Sequence, residues 1–334
     1  MSWHRVGFVA SLVVLGLAAA TARAAEADKY LPEDTNGVIS LNVRQVVDSP
    51  LFKKTYLPLL QKELKAKPDL QTQLKDIGFD PFKDIDRVQI AIAESCEREG
   101  GKEAGVFVAF QGRFDPAKIH TKIAVLAPHI DKALLAHKVG NNILYEFNAD
   151  ERSFFFALPD KNSLVFATRR EPVRDALERA TGKKKVPLRY KDAQDLVTKT
   201  DAKQALWLVA TGRTTLQFET VFAGPKGKKV EQMARKTLAD SGVYEVSGGF
   251  WVTDGVKGAF GIKVQNEQAA KAVSEALSNE LAKTIDKGFD GALATEPRLA
   301  PLREFLKEMV INGDGKHIVI QSEVPGRVFA NSLK

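Results

Sequence analysis

The residues best suited to chemistry in this 334-residue chain are five histidines, one cysteine and 42 carboxylates. His120, His129, His137 and His317 lie beyond the first two dozen residues. His129, Asp131 and His137 fall in or near one stretch with a helical pattern. Eight residues of helix rotate the second imidazole by about 80° from the first, so the two need not share a face. No His-Glu-x-x-His or His-x-x-x-His pair occurs, and a helix needs such a pair to aim two ligands at one zinc ion. These are read as surface histidines, and no metal is expected. Cys96, in Glu94-Ser95-Cys96-Glu97-Arg98-Glu99, is the only cysteine, so no intramolecular disulfide can form. It is left either free or paired between molecules. Nearby carboxylates should disfavour its thiolate.

Other reactive patterns are missing. No Gly-x-Ser-x-Gly occurs, and Ser247 in Val246-Ser247-Gly248-Gly249 reads as a strand serine. Among 42 acids no pair stands out for glycoside chemistry. Gly224-Pro225-Lys226-Gly227-Lys228-Lys229 lacks the Gly-x-x-x-x-Gly-Lys-Ser/Thr spacing of a phosphate cradle and reads as an exposed loop. Together with Lys183, Lys184 and Lys185, its lysines Lys226, Lys228 and Lys229 form a candidate basic patch for an anionic glycan, a lipid surface or an acidic envelope protein. Asn148 to Arg152 and Asn312 to Lys316 resemble calcium loops at first sight. Each ends in a cation where a bidentate glutamate is needed, so hairpin turns are expected. No cofactor site and no catalytic residue emerge.

The elements that must position these residues begin with the chain's start. Arg5 is followed by an apolar run from Val6 to Ala20, then by Ala22-Arg23-Ala24. That order matches a secretory signal with a cut after Ala24. The run is too short for a comfortable membrane span. No cysteine stands at the cut, which excludes a lipid anchor there. Removal of Arg5 and Arg23 leaves 47 basic against 42 acidic residues. A net charge of +5 permits attraction to anionic surfaces and does not demand a polyanion. Nucleic acid is not expected as a partner, and no second apolar stretch is long enough to span a membrane.

Beyond the leader the chain repeats itself. Val88–Glu94, a polar hairpin stretch, Ala104–Gln111 and a helix from Asp115 match Val243–Val252, a turn at Thr253-Asp254-Gly255, Gly258–Gln265 and a helix from about Glu267. Each second strand ends in an apolar residue followed by Gln. Asn148–Arg152 and Asn312–Lys316 then sit between apolar runs in the two copies. The second copy alone carries a helix from Pro297 to about Glu308. Ser49-Pro50, Asp80-Pro81, Asp115-Pro116, Glu171-Pro172 and Glu296-Pro297 each place an acceptor before proline, which marks helix starts. Phe154, Phe155 and Phe156 cannot share one face of a sheet; Phe155 must point away from its neighbours. These signals predict an α+β chain, a duplicated module of antiparallel strands with helices packed on one face. The divisions are a signal peptide (1–24), a first module (25–182), a basic linker (183–189) and a second module (190–334).

Leu31-Pro32-Glu33-Asp34-Thr35, Val38, Asn42-Val43 and Asp48-Ser49-Pro50-Leu51-Phe52-Lys53 resemble the mature start of uncharacterised exported bacterial proteins of planctomycete type. The resemblance covers about thirty residues. It implies a location outside the cytoplasm and supplies no catalytic residues. The expectation is an exported, non-catalytic binding or interaction protein of the periplasm or cell envelope. Its rivals are an extracytoplasmic hydrolase with a site between the modules and a structural component of envelope assembly.

Overall fold

The structure is a computed structural model, and it describes residues 25–96, 106–126, 134–149, 152–182, 188–212, 242–295 and 299–332. Strand β1 (Thr35–Leu41) leads into helix α1 (Val43–Asp48), a π-helical turn (Phe52–Tyr56), α2 (Leu57–Lys65), α3 (Pro68–Asp76) and α4 (Pro81–Asp84). Strands β2 (Ile85–Ala93) and β3 (Val106–Gly112) precede α5 (Pro116–Leu126). Four strands follow: β4 (Leu134–Val139), β5 (Asn142–Ala149), β6 (Arg152–Asp160) and β7 (Ser163–Ala167). Helices α6 (Arg170–Ala180) and α7 (Lys191–Lys199) lead to β8 (Leu206–Thr211). The remainder is β9 (Glu245–Val252), β10 (Gly255–Lys263), α8 (Glu267–Thr295), α9 (Ala300–Lys307), β11 (Val310–Asp314), β12 (His317–Pro325) and α10 (Gly326–Asn331).

The α+β class is as expected. The twelve strands among the described residues join one antiparallel sheet, ordered β11-β12-β10-β9-β8-β1-β2-β3-β7-β6-β5-β4. The two halves meet edge to edge through β1 and β8, with Val38 opposite Val209. Outward from that seam the halves read β1-β2-β3-β7-β6 and β8-β9-β10-β12-β11. In this order the β11–β12 hairpin stands where β6–β7 stands. The turn after Asp160 is therefore the positional partner of the Asp314–His317 turn, and the Asn148–Arg152 segment is not. Sequence similarity of two Asn-x-Asp segments followed turn chemistry, which recurs in any hairpin. Asn312, Gly313 and Asp314 lie within β11, and the turn itself is Gly315-Lys316, with Gly315 at φ +56°.

The helices do not share one face. In register, Leu144, Ala157, Val165, Ala109, Gln89 and Ser40 form one row across the first half. The core on that face takes in Val173, Ala176 and Leu177 of α6 and Val197 of α7. In the second half Val246, Ile262 and Ile318 pack with Ala270 and Val273 of α8. Val246 pairs with Ala210, the neighbour of Val209, so pleating puts this core on the opposite face. The reason is that many strands are apolar on both sides. Phe154 stacks on Phe166 and Phe156 on Tyr145, while Phe155 packs into the first core. The expected alternation of the three phenylalanines is present, and all three are half-buried.

Three of the five expected helix starts follow their caps; α6 instead begins at Arg170, ahead of Glu171 and with no side-chain cap, and Glu296-Pro297 lies outside the described residues. Ser49 Oγ accepts from Phe52 N at 3.1 Å, Asp80 Oδ1 from Phe82 N at 3.0 Å and Asp115 Oδ1 from Lys118 N at 3.1 Å. The chain from Pro50 packs differently from an amphipathic helix buried along one side. Leu51 is buried, but Leu59 and Leu60 are exposed.

Candidate functional site

Two places in the first half combine built geometry with buried polar groups. The first is a cavity of about 400 Å³ between α5 and the β4–β5 hairpin. Asp115 caps α5 and Pro116 starts it, which carries His120 over β5. His120 Nδ1 lies 2.6 Å from the Tyr145 hydroxyl, and the two rings are 5.7 Å apart. Tyr145 is buried and stacks on Phe156 at 5.0 Å. Burial pushes the His120 imidazole down and the Tyr145 phenol up, so both stay neutral near pH 7. A phenol is the better donor and an imidazole nitrogen the better acceptor. The hydroxyl therefore donates to Nδ1, and the ring proton resides on Nε2. Apart from Thr121, whose hydroxyl donates to Ala117 O, the remaining walls are apolar, among them Ile123, Leu134, Ala136 and Ile143. The volume falls in the range of small-molecule pockets, roughly 300–1,000 Å³.

The hairpin forming one wall differs from expectation. His137 lies on β4, not on a helix, and its Nε2 is 2.8 Å from Glu146 Oε2 across the strand pair. Gly140, at φ +60°, and Asn141 make the two-residue turn. That Gly-Asn step between alternating residues is a hairpin signal visible in the sequence. His129 and Asp131 lie outside the described residues.

The second place is a strap, residues 25–34, laid across the inner face of β2 and β3. Gln89, fully buried, donates from Nε2 to Glu26 O at 2.9 Å and accepts from Asp28 N at 2.6 Å. Asp28 accepts from Tyr30 N at 2.8 Å and from Gln111 Nε2 at 2.6 Å. Burial raises the Asp28 carboxyl above its ordinary value despite these donors. Asp160 takes the Tyr30 hydroxyl at 2.8 Å and Lys29 Nζ at 3.0 Å. Arg179, buried on α6, donates to Leu31 O, and Asp34 accepts from Ser95 N at 2.6 Å. A cavity of about 290 Å³ separates the strap from α7. Sequence reasoning passed over this network. Its signal was polar Ser40, Gln89, Gln111 and Ser163 at inward positions of otherwise apolar strands.

The remaining candidates disperse. Lys183, Lys184, Lys185, Lys226, Lys228 and Lys229 all lie outside the described residues, as does Asp150. His317 is exposed at the start of β12. Asn148 accepts from Ser153 Oγ at 2.5 Å within its own hairpin. Ser247 is half-buried in β9. Cys96 is buried, and its thiol is pushed up to about 12, first by burial and then by the charge of Asp34. Inertness was expected from the neighbouring glutamates, whereas burial is the larger cause. Among the described residues no group of three or more His, Cys, Asp or Glu side chains could hold a metal ion. Among them, too, no helix is long and apolar enough to cross a membrane.

No protein-family model matches the chain, and no curated protein matches it. Three crystal forms of a protein designated TP0453 are similar in structure. Form III gives a TM-score of 0.47 at 9% identity, covering 92% of this chain and 98% of that one. Form I gives 0.45 at 6% over 93% and 98%. Form IV gives 0.45 at 7% over 93% and 97%.

Proposed function

We propose that this chain is an exported, non-catalytic binding protein of the periplasm or cell envelope, freed from its leader by a cut after Ala24. In this reading the cavity between α5 and β4–β5 is its ligand site. The observation that carries the reading is a neutral His120–Tyr145 pair set in walls that are apolar but for Thr121, whose hydroxyl is already bonded to Ala117 O. Such walls desolvate whatever enters, and a charged ligand would lose far more than the pair returns. The ligand class is therefore an uncharged, compact apolar molecule with one oxygen acceptor for the Nε2–H of His120. The signal-like start and the resemblance of residues 31–53 to exported proteins support the location. The matching strand orders on either side of the β1–β8 seam support a duplicated origin, with modules at 25–182 and 190–334 and the basic segment 183–189 between them.

The test uses prodan, an uncharged naphthyl ketone whose emission reports both polarity and hydrogen bonding at its carbonyl. The wild-type chain is expected to bind it with a blue shift relative to water. Ile143→Trp, which fills the cavity, should abolish binding. His120→Leu keeps the wall apolar and removes the donor, and should weaken binding about two- to tenfold, the worth of one hydrogen bond. Binding unchanged in Ile143→Trp would refute the site.

A further inference from the structure

We propose that the docked strap shields the Ala24–Ala25 bond, so that leader removal is fast only before the strap docks, and that the amine released at Ala25 becomes part of the fold. The proposal rests on the export reading above. Ala25 is only 3% exposed, and its N–H donates to Thr200 O, just beyond α7, at 2.9 Å. The next residues are held as firmly. Glu26 O and Asp28 N both bond the buried Gln89, and Asp28 itself is 5% exposed. Tyr30 and Leu31 are 2% exposed and belong to the first core.

Cleavage between residues 24 and 25 adds water across that amide. The hydroxyl goes to the Ala24 carbonyl carbon, and the hydrogen completes an α-amine on Ala25 that is protonated near neutral pH. A protease must first draw several residues on each side of the bond into an extended, open conformation. On the Ala25 side those residues are the ones bonded to Thr200 and Gln89. Freeing them breaks three hydrogen bonds, each worth roughly a factor of five in an equilibrium, so a docked strap should slow cleavage by about a hundredfold. When the strap then docks, the ammonium takes the place of the amide against the Thr200 carbonyl, where a charged donor bonds more strongly than an amide.

The test compares three substrates of purified bacterial signal peptidase in detergent micelles. These are the folded full-length precursor, the same precursor in urea the protease tolerates, and a peptide spanning residues 13–30. The peptide and the unfolded precursor should be cut after Ala24, and the folded precursor about a hundredfold more slowly. Gln89→Leu in the full-length chain removes two of the three bonds, those to Glu26 O and Asp28 N, and should restore about a 25-fold share of the rate. Hydrogen exchange at the Ala25 and Asp28 amides of the folded full-length precursor gives an independent reading, with protection expected at both. A folded precursor cut as fast as the peptide would overturn the ordering while leaving the export reading intact. Free exchange at both amides would do the same. A peptide that is not cut after Ala24 would overturn the export reading, and the ordering with it.

Discussion

Gln89→Leu is the sharpest probe of how the first half is closed. The glutamine is fully buried between strap and sheet. Its amide joins Glu26 O, Asp28 N and, at 3.4 Å, Ser40 Oγ. Leucine has nearly the same size and can make none of these bonds. Two main-chain groups of the strap would then be buried without partners, at about 1–3 kcal/mol each. Leucine's easier burial offsets about 1–2 kcal/mol of that loss. The net destabilisation is about 3 kcal/mol, a large share of a typical domain's stability. With a urea slope of about 3 kcal/mol per molar, the midpoint should fall by about 1 M at unchanged slope. Equilibrium urea unfolding of the chain beginning at Ala25, followed by tryptophan fluorescence, reads this directly, because Trp207 belongs to the same core. A midpoint within 0.3 M (about 1 kcal/mol) of wild type would refute the claim that Gln89 fastens the strap.

Four further outcomes follow from the geometry. Asp160→Asn should flatten acid unfolding. Burial works against the Asp160 charge, but hydrogen bonds from Tyr30, Lys29, Asn162 and Ser163 outweigh it and hold the carboxyl below its ordinary 3.8. A carboxyl lowered on folding stabilises the fold above that value, and the contribution is lost as pH falls through the folded value. Asp28 acts in the opposite sense. Its raised carboxyl favours the fold at acid pH, and that share is lost as pH rises through its folded value, so an Asp28→Asn chain should lose less stability between acid and neutral pH. Circular dichroism against pH measures both. Cys96, with its thiol near 12 against an ordinary 9.0, should alkylate about a thousandfold more slowly than an exposed thiol at pH 8, and readily in denaturant. Labelling at the exposed rate in the native state would contradict its burial. Gly249→Ala would place a Cβ 2.1 Å from Leu206 O and 2.8 Å from Trp207 Cα, both main chain across the β8–β9 pair. A cost of about 1–3 kcal/mol should lower the melting temperature by several degrees, and an unchanged melting temperature would show that the strands can part there at no cost.

Much of this protein was legible from local chemistry. Ser49, Asp80 and Asp115 before proline start helices because each donor and acceptor lies within three residues of its partner. Alternation in Phe154-Phe155-Phe156 gave their opposite directions, since pleating has a period of two. The paired strand–turn–strand–helix units pointed to an α+β sheet for the same reason. Tertiary structure decided what depends on distant partners. The helical reading around His137 gave way to β4 because β5 supplies its hydrogen bonds. His120 acquired a role only when α5 crossed Tyr145, 25 residues later in the chain. Gln89 and Gln111 read as ordinary strand polars until the strap, 61 and 83 residues away, was laid over them. Propensity and periodicity act over a few residues and are written into the sequence. Burial, and the pairing of buried polar groups that burial enforces, is set only when strands and strap from separate parts of the chain close on one another.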